Sequence, residues 1–443
     1  MNVSDKVHVD YQGIKITTPN ISKQLGSDID TNIEAKIIND TDTKQNVKIQ
    51  HKFREKGKDT VVAVGESLAT IESNSSKTIN SDLIVKSAKT WTLENPNLYE
   101  VESSVVIDDK VSDTKYTDFG FRTISSDPNK GFSLNGEIKK LKGVSMHHDQ
   151  GSLGAAAHYR AIERQVEILK DMGANAIRVT HNPASDEIID IANKKGMLII
   201  DEAFDAWIDY KNGNIYDYTE WFEKPVEEDN QILGKESNDM TWAEFDVKSM
   251  VKRGINSPSI IKWSLGNEVM EGNNKNSARY AQYPAVLQNL INWVKEVDDS
   301  RFVTLGDNKF KASWSESTQF GNILTKEEGT VGMNYSSGND FDRFHREHPD
   351  WHIYASETAS AINSRGQYKA DEVNKLYTSY DIKTVGWGMV SAQSWYTVIQ
   401  RDFVQGEFVW TGFDYLGEPT NYNNIGPGPT GGWPSSKSSY LVL

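Results

Sequence analysis

Eight short apolar runs, separated by stretches of helical spacing, recur between residues 140 and 410, and few folds accept that rhythm. The runs lie at 140–144, 176–179, 197–201, 260–265, 302–305, 331–334, 352–356 and 407–410. Between the first two, Ile162, Val166, Ile168 and Leu169 fall on one face of a helix over 160–172. Residues 186–195 give a second helix between the next pair of runs. Buried strands alternating with helices predict a parallel (β/α)₈ TIM barrel over residues 126–443. No internal repeat of solenoid type competes with that reading.

Residues 1–125 obey a different grammar. Val47, Ile49 and Phe53 alternate with polar neighbours, and further runs lie at 61–64, 83–85 and 99–107. Polar clusters such as Ser73-Asn74-Ser75-Ser76-Lys77 separate them. Short strands with regular turn signals predict an immunoglobulin-like antiparallel β-sandwich, a structural module rather than a catalytic one. The expected fold class is therefore multidomain, a sandwich followed by a barrel, and 443 residues suffice for both.

Composition excludes several functions. A net charge of −15 argues against nucleic acid, whose phosphates need a basic field. The absence of cysteine removes disulfides, thiolate metal sites and a cysteine nucleophile. The first residues lack the apolar core of a signal peptide, and no run reaches membrane-spanning length, so no membrane insertion is expected. No motif specifies localisation or oligomeric state.

Polar residues gather after the apolar runs, on the face where such barrels carry their chemistry. They include His147-His148-Asp149, His181-Asn182, Asp201-Glu202 with Asp205 and Trp207, Asn267-Glu268, Asn334-Tyr335, Glu357, and Trp410 with Asp414. Glu202 either acts directly or orients its neighbours through an arginine such as Arg178. His147, His148 and Asp149 also allow a metal-dependent hydrolase, although a catalytic metal wants three convergent ligands and an open position. Trp207 and Trp410, beside strand-end acids, are expected to floor a sugar site.

Two carboxylates at two strand ends, Glu268 and Glu357, are the minimum equipment for cleaving a glycosidic bond. One must hold a proton at working pH and the other must not. A retaining enzyme keeps the pair about 5–5.5 Å apart and an inverting one roughly 6.5–9.5 Å apart, and the sequence allows either. Tyr335 is placed to orient a nucleophile, and Asn267 to donate to a sugar hydroxyl. A non-catalytic carbohydrate-binding barrel is the rival reading from another class.

Taken in order, the segments 118–122, 135–136, 142–144, 178–183, 201–205, 266–268, 356–357 and 408–415 resemble glycoside hydrolase family 2, and more closely its β-galactosidases. The resemblance implies a retaining double displacement on a terminal β-galactoside of an oligosaccharide or glycan. Glu268 would be the acid/base and Glu357 the nucleophile. By the same similarity Tyr335 stands beside the nucleophile, His147 and His181 contact the sugar, Trp410 is an aromatic platform and Asp205 binds substrate hydroxyls. Some members bind magnesium through an acid and a histidine after the Asp-Glu of the third strand. No histidine follows Asp201-Glu202 here, so no cofactor is expected.

The family's Asn-x-Lys signature of glucuronidases is absent after Glu357, where Arg365 is the one nearby cation, so β-glucuronidase and β-mannosidase are the alternatives within the family. Full members begin with a jelly-roll domain and close the barrel with a last helix. Neither pattern is present, which predicts a truncated chain lacking that helix, folding poorly or weakly active.

Overall fold

The computed structural model describes residues 3–211, 218–227, 240–271, 279–312, 315–371 and 376–414. Strands β1 (Val7–Thr17), β2 (Ile29–Asn39) and β5 (Ser75–Val85) form one antiparallel sheet in the order β1-β2-β5. Strands β3 (Gln45–Glu55), β4 (Val61–Ile71), β6 (Tyr99–Ile107) and β7 (Lys110–Phe119) form the other, in the order β4-β3-β6-β7. Strict alternation drives the packing: in β2, Ile29, Ile33, Ala35 and Ile37 all face inward against Ile49, Phe53, Val101 and Val105. His51 breaks the apolar pattern yet is fully buried. Its Nδ1 lies 2.8 Å from Ser103 Oγ, and burial pushes its pKa down to about 4, so it is a neutral core residue.

The eight barrel strands all form: β11 (Leu141–Met146), β12 (Ala176–Val179), β13 (Leu198–Glu202), β14 (Ile260–Asn267), β15 (Phe302–Asp307), β16 (Thr330–Asn334), β17 (Ile353–Ala359) and β18 (Gly406–Trp410). They are parallel, and pairing of Leu141–Val144 with Gly406–Val409 closes the ring. Helices Tyr159–Asp171, Asp186–Lys195, Trp242–Gly254, Tyr283–Lys295, Ser315–Lys326, Gly338–Glu347 and Ser391–Ile399 follow the first seven strands in turn. Any helix after β18 lies outside the described residues. No helix among those described is long and apolar enough to cross a membrane.

A small antiparallel sheet of β8 (Ile124–Asp127), β9 (Gly131–Leu134) and β10 (Glu137–Ile138) leads into the first barrel strand. Its Phe132 and Leu134 join Trp91, Leu93 and Leu98 against Leu141, Ala176, Leu198, Ile261 and Phe408, filling the barrel's floor. Polar joints tie sandwich to barrel. Trp91 Nε1 donates to Asn193 O at 2.8 Å, Asn256 bridges Ile14 O and Ile16 N, and Arg122 donates to Pro258 O and Ile260 O.

Candidate active site

Arg178, in β12, is the hub of the barrel mouth, with its side chain fully buried. Nε and Nη2 donate to Glu202 Oε2 at 2.9 and 2.6 Å, and Nη2 also to Asn267 Oδ1 at 3.0 Å. Nη1 donates to Glu357 Oε1 at 2.8 Å and to Ser356 O at 3.1 Å. These bonds occupy all the donors a guanidinium has. Burial opposes its charge, but Glu202 and Glu357 outweigh that and hold the proton more firmly than usual.

Glu202 is equally buried and faces no open space. Its Oε1 lies 2.6 Å from His181 Nδ1, and Ser264 Oγ donates to Oε2 at 2.7 Å. Burial pushes its carboxyl up, and Arg178 and His181 pull it further down, below the usual carboxylate range. Of the two sequence readings of Glu202, orientation of neighbours is the one its contacts support. His181 Nε2 faces Asn267 Nδ2 at 3.2 Å and lies 3.7 Å from Glu357 Oε1. The His181 ring stacks on Trp410 at 5.2 Å, and His147 meets both rings edge-on at 5.3 and 5.0 Å.

Glu268 and Tyr335 each follow a strand end with positive φ, +46° and +52°. That left-handed region is strained for side-chain-bearing residues by about 1–2 kcal/mol. Main-chain bonds hold both in place: Glu268 N to Gly306 O at 2.7 Å and Tyr335 N to Glu357 O at 2.8 Å. Asn334 Nδ2 donates to Glu268 Oε1 at 2.8 Å and to Asn267 Oδ1 at 3.1 Å, which links the acid to the hub. Burial, then the negative charge of Glu357, raises Glu268 well above the usual carboxylate range. Tyr335 is pushed up by burial and by both glutamates, so it stays a neutral phenol hydrogen-bonded to Glu357, while its oxygen accepts from Ser360 Oγ at 3.0 Å.

Asp205 stands at the rim, its side chain 45% exposed, 2.7 Å from Lys211 Nζ. Burial pushes its carboxyl up, but Lys211 outweighs that and holds it far below the usual range. Lys211 also donates to Asn267 O at 3.0 Å. Asp205 is thus paired with an ammonium, which repels a dication, and this pairing does not fit a magnesium site. Among the described residues no three His, Asp or Glu are arranged to hold a metal ion. His148 Nε2 is 3.4 Å from Asn182 O, and Asp149 Oδ1 accepts from Gly151 N at 2.7 Å, so neither converges with His147.

His147, His181, Asn267, Glu268, Tyr335, Glu357 and Trp410 are therefore gathered at one mouth, with Asp205 at its edge. Trp207 is not among them. It is fully buried against Tyr283 and Phe320, and its Nε1 donates to Leu265 O, so it is core, not a sugar floor. Asp414 lines a separate cavity of about 460 Å³ with Asp149, Gln150, Arg164 and Gln165. Arg365 is exposed in the loop after β17. Sequence reasoning missed Lys211, Glu271 and Ser360 and underrated Arg178. A lone cation inside the apolar run Ala176-Ile177-Arg178-Val179 was the available signal, because a buried guanidinium demands carboxylates.

The profile described as "Glycosyl hydrolases family 2, TIM barrel domain" matches residues 128–430, and that described as "Glycosyl hydrolases family 2" matches residues 7–122. Beta-galactosidase BoGH2A of Bacteroides ovatus is 31% identical over 99% of this chain and 52% of its own length. A beta-glucuronidase of Bacteroides fragilis is 26% identical over 75% of this chain and 44% of its own. The crystal structure of a glycosyl hydrolase family 2 member from Bacteroides cellulosilyticus superposes with a TM-score of 0.74 at 30% identity, covering 94% of this chain and 47% of that one. The chain spans about half the length of these relatives.

Proposed function

The chain belongs to glycosyl hydrolases family 2, and from that premise we propose that it releases terminal β-galactosyl residues from a glycan by a retaining double displacement. Glu357, braced by Arg178 and Tyr335, attacks the anomeric carbon while Glu268 gives its proton to the departing glycosidic oxygen. The resulting glycosyl ester is neutral. The Glu357 charge that had raised Glu268 is then gone, Glu268 ionises more readily, and it takes a proton from the attacking water. His181 and His147, locked against Trp410, and Asn267, fixed by Arg178 and Asn334, present rigid groups to the sugar ring.

The observation that carries this reading is the contrast between two buried glutamates at one mouth. The Glu268 carboxyl is raised well above the usual carboxylate range, and Glu357 is tied to a guanidinium. Galactoside preference draws on the BoGH2A relative and on the missing Asn-x-Lys signature after Glu357. The name of the Bacteroides fragilis relative favours a second reading, a β-glucuronidase. Turnover of aryl galactoside, glucuronide and mannoside separates them, with the galactoside expected to be fastest. A 2-fluoro galactoside should label Glu357 covalently, and a label on any other residue overturns the nucleophile assignment. Glu357→Gln is expected to abolish turnover. Glu268→Gln should slow substrates in proportion to the pKa of their leaving group.

A further inference from the structure

Glu271 sits one turn beyond Glu268, its amide donating to Glu268 O at 2.8 Å. That turn brings the two carboxyl groups into hydrogen-bond contact. Glu271 is not left to share the proton evenly. Asn308 Nδ2 donates to its Oε1 at 2.8 Å and Lys309 Nζ lies 3.3 Å from the same atom, both presented by the segment after β15. Asn334 occupies Glu268 Oε1, which leaves the other oxygen of Glu268 to carry the proton toward Glu271.

We propose that Glu271 is a positioning residue for the acid/base: a carboxylate clamped by Asn308 and Lys309 that accepts a hydrogen bond from the Glu268 carboxyl in the free enzyme and fixes its direction. This rests on the reading of Glu268 as acid/base. Among the described residues, the charged and titratable groups acting on Glu268 are Glu357 from β17, Tyr335 after β16, Lys211 after β13 and Glu271, while Lys309 after β15 acts on Glu271. Of the two acids that raise Glu268, Glu357 loses its charge when the glycosyl ester forms, and Glu271 does not. Glu271 therefore sustains the basicity with which Glu268 removes a proton from water in the second step. No atom of Glu271 is transferred; its contribution is charge and a hydrogen-bond acceptor.

Loss of that charge lowers the pKa of Glu268, so the alkaline limb of kcat/KM must move to lower pH. Glu271→Gln keeps the shape and an acceptor for Asn308 and Lys309. With an aryl galactoside of poor leaving group, its alkaline limb is expected about one pH unit or more below that of the unaltered chain. With an activated leaving group, which needs little help from the acid, kcat/KM below that limb should change less than about threefold, while kcat, limited by the second step, should fall. An alkaline limb that does not move in a folded Glu271→Gln variant overturns the proposal. Glu268→Gln is measured alongside: no leaving-group dependence there removes the acid/base reading itself, a failure distinct from that of Glu271.

Discussion

Glu268, the proposed acid/base, illustrates how burying a carboxyl costs the fold. Its pKa in the folded chain is raised, so folding binds its proton more tightly than the unfolded chain does. Stability from that proton is fully present below the ordinary carboxylate range and is lost as pH rises through the folded value. Glu268→Gln keeps an acceptor for Asn334 and removes the titration. The variant is expected to melt a few degrees above the unaltered chain at pH 8, with the gap closing toward pH 4.5. A gap independent of pH in a calorimetric series contradicts this. Glu202 has the opposite sign. Its depressed pKa stabilises the fold above the carboxylate range and stops doing so in acid.

Among the elements, the apolar runs located all eight barrel strands because a strand buried on both faces has little else to be made of. Their ends were less legible. The run at 352–356 stops at Ser356, yet β17 continues through Glu357 and Thr358 to Ala359, because Thr358 Oγ1 finds Glu407 Oε2 at 2.7 Å and pairs with Val409 in β18. Trp207 was misplaced for a related reason: just past a strand end, a large ring can turn to the mouth or to the outer helices, and the sequence carries no sign of which. Lys211 and Glu271 lie in connecting segments, where no periodicity marks a functional residue. The helix Asp186–Lys195 shows a constraint of another kind. It ends at Gly196 with φ +69°, and a Cβ there would lie 2.3 Å from Leu93 O. Gly196→Ala is expected to destabilise by about 2–4 kcal/mol in urea unfolding while leaving kcat per folded molecule near normal.

For the whole molecule, sandwich and barrel meet through few but well-paired polar groups. Asn256 accepts from Ile16 N at 2.9 Å and donates to Ile14 O at 2.7 Å, and Lys15 Nζ donates to Val297 O at 2.9 Å. Calorimetry is expected to show one unfolding transition. Asn256→Ala, which strands two main-chain groups of β1, should weaken the coupling by about 1–3 kcal/mol and resolve a separate sandwich transition. Two coincident transitions in that variant would mean that the apolar floor alone holds the units together. That floor bears on how the molecule trades with its surroundings. Phe132, Leu134 and Trp91 close the barrel from below, so in the proposed reaction sugar, aglycone and water would all use the same doorway. In that proposed sequence the aglycone would step out before water stepped in, and an alcohol waiting in the corridor would take water's place. A crowded solution should therefore turn part of the traffic from breaking glycosidic bonds to making them.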